Sequence, residues 1–263
     1  MKILVTGASG FIGSNLITYL LDHMQGVSVY CLSRPEKGAP DERCKRLVCD
    51  LSKGNDAVFP DENFDVVIHL AQSRHYRDFP AQAADIYAVN VQSTFALAEW
   101  ARKHGVNRFV MASTGSVYQP TGQLLKETDP VFPGSFYTAS KLAAENLLRP
   151  YCEFYSIDVL RIFSPYGKGQ KNMLVPNLIG SIRQGKQVTL SGKDGLVLSP
   201  VYIDDCSALI YGLLKAETAG YEVYNLGGAG TVTLREMAME ISRIAGCELN
   251  IVEDTSLPVV NIS

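Results

Sequence analysis

The feature that most constrains this chain is a glycine-rich turn near its N-terminus. The sequence of Lys2–Thr6 predicts a buried strand, and helically spaced apolar residues begin at Ile12. The turn between them reads Thr-Gly-Ala-Ser-Gly-Phe-Ile-Gly, and glycines without a Cβ let a pyrophosphate rest on backbone amides at the positive end of a helix. A tight turn without a ligand would look similar, but its place in a strand–turn–helix unit favours a dinucleotide site. The residues predicted to contact the dinucleotide are Gly7, Ser9, Gly10, Phe11, Ile12 and Gly13.

Short β-rich runs alternate with helical patterns through the first two-thirds of the chain. Several of these runs are continuously apolar, which is typical of strands covered by helices on both faces. The alternation predicts an α/β fold with a doubly wound parallel sheet of the Rossmann type. The predicted strands are residues 2–6, 27–32, 46–49, 66–70, 108–112, 159–162 and 223–226.

The composition of the sequence changes near Pro165. From there glycine and proline become frequent, and the segments with a strand or helix pattern become shorter. Residues 1–164 are therefore predicted to form the dinucleotide-binding domain, which the chain rejoins at about 204–228. Asp204 and Asp205 are expected to cap a helix that runs to about Lys215. Residues 165–203 and 229–263 are predicted to form a small, reduced C-terminal substrate lobe.

Composition and charge exclude several classes of partner. A net charge of -3 and a pI near 5.8 provide no basic field for nucleic acid. No apolar run reaches the length of a membrane helix or a signal core, so no membrane contact is expected. The six cysteines form no CxxC pair and are expected to be reduced packing thiols, which favours the cytoplasm. Because the histidines lack a second ligand at metal spacing, no metal site is predicted.

The end of the second strand predicts which dinucleotide binds. An acidic residue there would bond the ribose hydroxyls and repel a 2′-phosphate, whereas this chain has Ser33 and Arg34. A hydroxyl followed by a guanidinium favours NADP(H), with NAD(H) as the alternative if Arg34 is an ordinary surface residue. Asp50, followed by Leu51, is a candidate partner for the adenine amino group or a cap of the next turn.

Tyr137 and Lys141 form the strongest catalytic signal. They lie one helical turn apart on the same face of a helix predicted from about Phe136 to Glu153. A free tyrosine titrates near about pH 10, and a neighbouring ammonium with oxidised nicotinamide is expected to lower that pKa. Tyr137 is thus expected to act as general acid or base on an alcohol or carbonyl. An exposed i,i+4 pair is the alternative for this spacing alone, and the glycine turn upstream favours catalysis.

Taken together, these motifs make the chain resemble the extended short-chain dehydrogenases/reductases, which include nucleotide-sugar epimerases, dehydratases and 4-keto reductases. The resemblance runs nearly end to end. Further motifs that carry it are His69-Leu70-Ala71, Asn90 in Asn-Val-Gln-Ser-Thr, residues 108–114 with Val117-Tyr118, residues 161–167, residues 202–205 and residues 224–227.

The resemblance implies roles for residues outside the first two motifs. Thr114 takes the place of the family's catalytic Ser/Thr and is expected to hydrogen-bond the reacting oxygen. Asn90 resembles a structural asparagine that links helix backbone to the active-site lysine through water. Leu70, Ala71 and Gln72 correspond to the loop that flanks the cofactor. The implied substrate contacts are Ser73, Ser113, Ser116 and Ser164. The loop residues that either reach substrate or stay solvated are Arg74, His75 and Tyr76.

Four positions depart from the family's pattern. Gly115-Ser116 stands where dehydratases of the family carry an acidic pair that moves protons during loss of water, so a 4,6-dehydratase is not expected. Ser164 replaces an asparagine and Leu198 replaces an arginine, and both family residues contact substrate phosphate. Leucine cannot supply a charged clamp.

The expected function is NADPH-dependent reduction of a sugar-like ketone, with a nucleotide-linked 4-keto sugar as substrate. The first alternative is a nucleotide-sugar 4-epimerase, in which Tyr137, Thr114 and Lys141 serve oxidation and then reduction from the other face. The second is a catalytically idle NADP(H)-binding protein. Residues 83–103 and 136–154 resemble the helix pair of the family's dimer interface, which predicts a homodimer.

Overall fold

The computed structural model describes residues 1–121, 123–256 and 261–262. The strands in chain order are Lys2–Thr6 (β1), Ser28–Ser33 (β2), Lys45–Val48 (β3), Val66–His69 (β4), Arg108–Thr114 (β5), Ser156–Ile162 (β6), Pro165–Tyr166 (β7), Val188–Ser191 (β8), Val197–Leu198 (β9), Val201–Tyr202 (β10), Tyr221–Leu226 (β11), Val232–Thr233 (β12), Ile251–Asp254 (β13) and Asn261–Ile262 (β14). The α-helices are Phe11–His23 (α1), Ala83–Tyr87 (α2), Ser93–Lys103 (α3), Phe136–Leu148 (α4), Leu174–Arg183 (α5), Ile203–Lys215 (α6) and Leu234–Ala245 (α7).

The central element is a seven-stranded parallel sheet in the order β11-β6-β5-β4-β1-β2-β3. The order reverses between β1 and β4, and ligands of doubly wound sheets bind at the carboxyl ends of the strands at such a switch point. Thr6 at the end of β1 pairs with Leu32 on one side and with His69 on the other. The loops that follow β1, β2 and β4 therefore leave the sheet side by side.

Helices cover both faces of the sheet, as the apolar strands require. In β1, Ile3 and Val5 pack into one apolar core with α1 and α6, while Leu4 packs into the opposite core with α3 and α4. Successive strand residues point to opposite faces, so a strand that is apolar at every position is buried from both sides.

All seven strands predicted from the sequence lie in this sheet, with boundaries that differ by a few residues at most. The predicted Rossmann fold class is confirmed. The helix that was predicted from residue 136 to residue 153 is α-helical to Leu148 and ends in a 3₁₀ turn, Arg149–Glu153. The helical region 83–103 contains a π-helical segment, Ala88–Gln92, between α2 and α3.

The short strands outside the main sheet form small sheets of their own. These pair β10 with β7, β13 with β8, and β12 and β14 with β9. A separate apolar core lies beside them, and its buried members are Leu178, Ile182, Val188, Leu190 and Ala238. Part of the predicted substrate lobe, residues 257–260 and 263, lies outside the described residues.

Two expectations from the sequence are wrong. Cys31 and Cys44 form a disulfide, although all six cysteines were expected to be reduced. The two are 13 residues apart, and they meet because β2 and β3 pair, which no local motif reveals. Asp204 and Asp205 do not cap α6, because Tyr202 is its N-cap and makes no side-chain bond. They lie in the first turn, where carboxylates still favour the helix dipole.

Candidate active site

The glycine turn has the close backbone packing that the sequence predicts. Gly7 has φ +67°, and a Cβ there would lie 2.6 Å from the carbonyl carbon of Leu70. A Cβ on Gly13 would lie 2.3 Å from the Gly7 carbonyl oxygen. Gly10 is the N-cap of α1 and its N–H donates to Gly7 O at 2.9 Å. Any side chain at Gly7 or Gly13 would therefore displace backbone, and the cradle of amides at the start of α1 fits a dinucleotide pyrophosphate.

His69 joins this turn to the rest of the sheet. Its Nδ1 lies 2.7 Å from Thr6 Oγ1 and its Nε2 lies 2.9 Å from Thr94 Oγ1. The Thr6 hydroxyl in turn accepts the N–H of Ala71 at 3.2 Å. Burial lowers the pKa of His69 to about 3, so the ring is neutral and holds the loop after β4 against the glycine turn.

The loop after β2 carries the residues expected to select the dinucleotide. Ser33 is buried and accepts a hydrogen bond from Arg46 Nε at 3.2 Å. Arg34 points its guanidinium at Glu36, with Nε 3.2 Å from Oε1. Asp50 accepts the N–H of Ser52 at 3.0 Å and so caps the 3₁₀ segment Leu51–Asp56, the second of its two sequence interpretations.

Helix α4 holds the two central catalytic candidates and begins at a strong cap. The Ser135 hydroxyl accepts the Thr138 N–H at 3.2 Å, and Thr138 Oγ1 accepts the Ser135 N–H at 3.0 Å, so a reciprocal capping box fixes the first turn. Tyr137 lies in that first turn, and Lys141 follows one turn later with 2% of its surface exposed. The fold thus places the Tyr137 phenol at the start of α4 and the Lys141 ammonium one turn deeper, in the buried part of the helix.

The surroundings of Tyr137 keep its phenol protonated. Its hydroxyl donates to Gln72 Oε1 at 3.0 Å, and its ring lies 5.1 Å from the ring of Tyr76. Burial raises the pKa of Tyr137 well above its usual value and the Tyr76 phenol adds to this, whereas a hydrogen bond with Thr114 acts in the opposite direction. The chain's own groups therefore raise the pKa of Tyr137, whereas the sequence predicted a lowered one, because burial outweighs the hydrogen bond with Thr114.

Lys141 has the opposite response to burial. Desolvation lowers the pKa of its ammonium to about 8, and the charge of Glu145 partly offsets that effect. Among the described residues, no hydrogen-bond acceptor is bound to Lys141 Nζ. A buried ammonium that keeps its donors unused is suited to hold hydroxyl groups of a ligand.

Asn90 lies at the bend in the helical region that faces α4. It belongs to the π-helical segment and is 1% exposed. Its Nδ2 donates to Ser140 Oγ at 2.9 Å, and its Oδ1 accepts the Ser73 N–H at the same distance. Asn90 therefore ties the residue next to Lys141 to the loop after β4, and π-helical segments are frequent at functional sites.

The four serines expected to contact substrate have different surroundings. Ser73 is buried and bonds Asp85, and Ser113 is buried and bonds Glu145. Ser116 is partly exposed, and its N–H donates to Thr114 Oγ1 at 3.2 Å. Ser164 is partly exposed and has φ +39°, a left-handed conformation that asparagine adopts more readily than serine. Ser116 and Ser164 thus remain the better placed for a substrate contact.

A buried ionic network behind α4 was not predicted from the sequence. Arg161 Nη2 lies 2.8 Å from Glu145 Oε2, and its Nη1 donates to Tyr118 Oη at 2.7 Å. The Tyr118 hydroxyl donates to Asn225 Oδ1 at 2.8 Å. Glu145 follows Lys141 at i+4, so the helical spacing was an available signal. The network connects α4 to β6 and β11.

Gly115, directly after Thr114, has no room for a side chain. A Cβ at this position would lie 2.4 Å from the Phe163 ring. An acidic residue therefore cannot occupy this place unless Phe163 moves. Leu198, where the family has a clamp arginine, is 2% exposed and pairs in the small sheet with Val232. Gly115 therefore supplies no acid or base for elimination, and Leu198 supplies no charge for a substrate phosphate.

The described part of the chain, residues 1–121, 123–256 and 261–262, contains no group of three or more His, Cys, Asp or Glu placed to hold a metal ion. Within the same residues, no helix is both long and apolar enough to cross a bilayer.

The parallel sheet, the glycine turn at its switch point and the adjacent Tyr137 and Lys141 define an extended short-chain dehydrogenase/reductase. The profile of the NAD dependent epimerase/dehydratase family matches residues 3–227, and the chain belongs to that family.

Individual relatives agree with this membership. The chain is 32% identical over 267 residues to the Bacillus subtilis protein described as "Uncharacterized UDP-glucose epimerase YtcB", covering 94% of this chain and 83% of that protein. It is 29% identical to the dTDP-glucose 4,6-dehydratase of Escherichia coli, covering 87% and 72%. The solved UDP-glucose 4-epimerase of Thermus thermophilus, a complex with NAD, superposes with a TM-score of 0.83 at 27% identity, covering 99% and 89%.

Proposed function

We propose that this protein is an NADPH-dependent reductase of a nucleotide-linked 4-keto sugar. The observation that carries the proposal is the position of the Tyr137 hydroxyl, which donates to Gln72 Oε1 at 3.0 Å, in surroundings where burial raises its pKa. A reductase needs an acid that keeps its proton at neutral pH and gives it to an alkoxide as that base forms. The arginine at the end of β2 supports NADP(H) as the dinucleotide.

The chain's residues divide the work of this reaction. Gly7, Gly10 and Gly13 would hold the pyrophosphate at the start of α1, and the ammonium of Lys141 would bind the nicotinamide ribose. The bound nicotinamide supplies the hydride. Tyr137 donates its phenolic proton to the oxygen of the new alcohol, and the Thr114 hydroxyl bonds the same oxygen and orients it.

A 4,6-dehydratase does not fit this site, although dehydratases are among the relatives. Elimination of water needs an acid and a base beside the catalytic threonine. Here the two following residues are Gly115 and Ser116, and the ring of Phe163 fills the space that a side chain on Gly115 would need. Hydride transfer at one carbon, without elimination, is the chemistry that these residues support.

A 4-epimerase is the second candidate, favoured by the relatives described as epimerases. The same Tyr137, Thr114 and Lys141 would first oxidise the 4-hydroxyl and then complete reduction on the other face. Such an enzyme keeps its dinucleotide through the cycle, whereas a reductase exchanges it at every turnover. The two candidates therefore differ in net cofactor consumption.

The test is NADPH oxidation with a panel of nucleotide-linked 4-keto sugars, with conversion of UDP-glucose followed in parallel. A reductase consumes one NADPH for each sugar reduced. Conversion of UDP-glucose without net cofactor use, with dinucleotide that copurifies and resists dialysis, would establish the epimerase instead. If neither reaction exceeds that of Tyr137→Phe, the protein is the catalytically idle binder.

Cofactor preference is the first prediction. NADP⁺ is expected to bind at least about tenfold more tightly than NAD⁺, because a charge-assisted bond between Arg34 and a 2′-phosphate contributes about 1.5–3 kcal/mol. Titration calorimetry with both dinucleotides measures this. Equal dissociation constants would contradict the preference and favour NAD(H) as the cofactor. The Thermus thermophilus epimerase structure is a complex with NAD.

The pH dependence of reduction is the second prediction. The pKa of Lys141 is lowered to about 8, so its ammonium is present below that pH and is lost above it. The raised pKa of Tyr137 keeps the phenol protonated across the same range. We therefore expect kcat/KM for reduction to be level below about pH 8 and to fall about tenfold per pH unit above it. Initial rates between pH 6 and pH 10 check this, and a profile that stays level to pH 10 rules it out.

A homodimer is the third prediction. Large apolar side chains are exposed on the helical elements expected at the interface, namely Tyr87 on α2, Phe95 on α3 and Leu147 on α4, with 41–49% of their surface accessible. Their burial against a second copy is the expected reason for dimerisation. Analytical ultracentrifugation at micromolar concentration measures it, and a monomer under those conditions refutes it.

Two further assignments remain proposals. The substrate lobe is proposed to comprise residues 165–203 and 229–263, supported by the separate apolar core around Leu178 and Ala238. A cytoplasmic location is proposed as well. Its support is that Cys49, Cys152, Cys206 and Cys247 are free thiols, with Cys31 and Cys44 as the one disulfide pair among the six cysteines.

A further inference from the structure

Two arginines from different loops meet on one carboxylate beside the glycine turn. Arg34 Nε lies 3.2 Å from Glu36 Oε1, and Arg74 Nη2 lies 3.9 Å from the same oxygen. Arg34 and Glu36 follow β2, whereas Arg74 belongs to the loop after β4. We name these three residues the arginine clamp.

The arginine clamp joins the two loops that leave the sheet on either side of the glycine turn. Strands β2 and β4 are the two neighbours of β1, so their following loops leave the sheet on opposite sides of the glycine turn. The contact between Arg74 and Glu36 therefore spans this turn. A dinucleotide whose pyrophosphate lay on the turn would be expected to place its adenosine ribose at the end of β2, next to Arg34 and Glu36.

The loop that carries Glu36 is fixed by the protein itself. The Lys37 N–H donates to Arg34 O at 3.0 Å, which closes a tight turn with Pro35 and Glu36 at its centre. Arg46 Nη2 donates to the carbonyl oxygens of Arg34 at 3.1 Å and Pro35 at 2.7 Å. A guanidinium from β3 thus positions the turn, and it also adds a third positive charge to the region.

The charges of this region are unequal. The guanidinium groups of Arg34 and Arg74 both face the Glu36 carboxylate, and that of Arg46 lies on the backbone carbonyls of Arg34 and Pro35 in the same turn. Arg74 forms no second ion pair among the described residues, and its 3.9 Å contact is longer than a hydrogen bond. A phosphate monoester carries about two negative charges near neutral pH and accepts paired guanidinium bonds, so it competes well with one exposed carboxylate.

We propose that the arginine clamp is an anion-exchange site for the 2′-phosphate of NADP(H), in which Arg74 is a second specificity-determining residue and Glu36 is the competing internal anion. The phosphate takes the place of the Glu36 carboxylate between the two guanidinium groups. The inference rests on the proposed NADP(H) preference and extends it to residues outside the end of β2.

The test compares binding of NADP⁺, NAD⁺ and adenosine 2′,5′-bisphosphate by titration calorimetry. The variants are Arg34→Ala, Arg74→Ala and Glu36→Gln. Arg77→Ala is the matched control, because Arg77 lies in the same loop as Arg74 and its guanidinium packs over the Tyr76 ring at 5.0 Å.

Arg74→Ala is expected to weaken NADP⁺ and the bisphosphate by about five- to tenfold, with NAD⁺ changed less than about twofold. Glu36→Gln is expected to tighten both phosphate ligands by about threefold, because the internal competitor loses its charge. Arg77→Ala should bind all three ligands as the wild type does. The affinity of the wild type for NADP⁺ should fall more steeply with salt than its affinity for NAD⁺, and Arg74→Ala should reduce that difference.

These measurements distinguish failure of the clamp from failure of the proposed NADP(H) preference and of the proposed reductase activity. If Arg34→Ala loses NADP⁺ selectivity while Arg74→Ala and Glu36→Gln bind as the wild type, the clamp is overturned and the cofactor preference stands. Equal loss of NADP⁺ and NAD⁺ in Arg74→Ala also overturns it, because the effect is then not on the phosphate. If the wild type binds NADP⁺ and NAD⁺ equally, both the clamp and the NADP(H) preference are overturned. The proposed reduction of a sugar with Tyr137 as acid is then tested only by the assay of NADPH oxidation.

Discussion

Replacing Tyr137 with phenylalanine is expected to lower kcat for reduction by about 10²- to 10⁴-fold, the usual contribution of a positioned general acid. The ring keeps its place against Tyr76, but the hydroxyl that donates to Gln72 at 3.0 Å is removed. Steady-state kinetics with a saturating 4-keto sugar measure the loss.

Cofactor affinity and a neighbouring tyrosine serve as controls for this variant. The dissociation constant of NADP⁺ should change by less than about twofold, because the lost group acts in the chemical step. Tyr76→Phe is the matched control, since its ring also lies in the site while its hydroxyl faces Met173 Sδ at 3.8 Å. A Tyr137→Phe enzyme that keeps more than a tenth of kcat, a deficit under about 1.4 kcal/mol, means that Tyr137 is not the acid.

Lys141→Met is expected to damage both chemistry and binding. We expect kcat to fall by about 10²-fold or more and NADP⁺ affinity by about tenfold, because the ammonium is lost from both the ribose and the neighbourhood of Tyr137. Methionine fits the buried position, where only 2% of Lys141 is exposed. Kinetics and calorimetry on the same preparation separate the two losses.

Thermal unfolding distinguishes this result from misfolding. Burial opposes the charge on Lys141, and no acceptor among the described residues is bound to its Nζ, so its replacement leaves no partner unsatisfied. Glu145 keeps its pair with Arg161 at 2.8 Å. The Tm should therefore be equal to that of the wild type or higher. Unchanged NADP⁺ affinity together with lowered kcat would show that Lys141 does not hold the cofactor.

Much of the site was predictable because its groups lie in local patterns. The glycine turn joins a strand to a helix within eight residues, and Tyr137 and Lys141 share one helical face. The strands were predictable for the same reason, because each is marked by a short apolar run that indicates burial on both faces of the sheet. Where a role depended on a distant partner, prediction was less complete. Ser73 and Ser113 were predicted to contact substrate. In the structure the Ser73 hydroxyl donates to Asp85 and the Ser113 hydroxyl donates to Glu145.

The amino-acid sequence by itself determined the Rossmann sheet, the glycine turn and the helix that carries Tyr137 and Lys141, because each follows from spacing over a few residues and from the period of strand or helix. Only the tertiary structure decided the raised pKa of Tyr137, the pairing of Arg161 with Glu145 and the contacts of Arg34 and Arg74 with Glu36. These depend on burial and on distances between loops far apart in sequence. A local pattern carries no such information, since desolvation and ion pairing are set by every element that packs around a group.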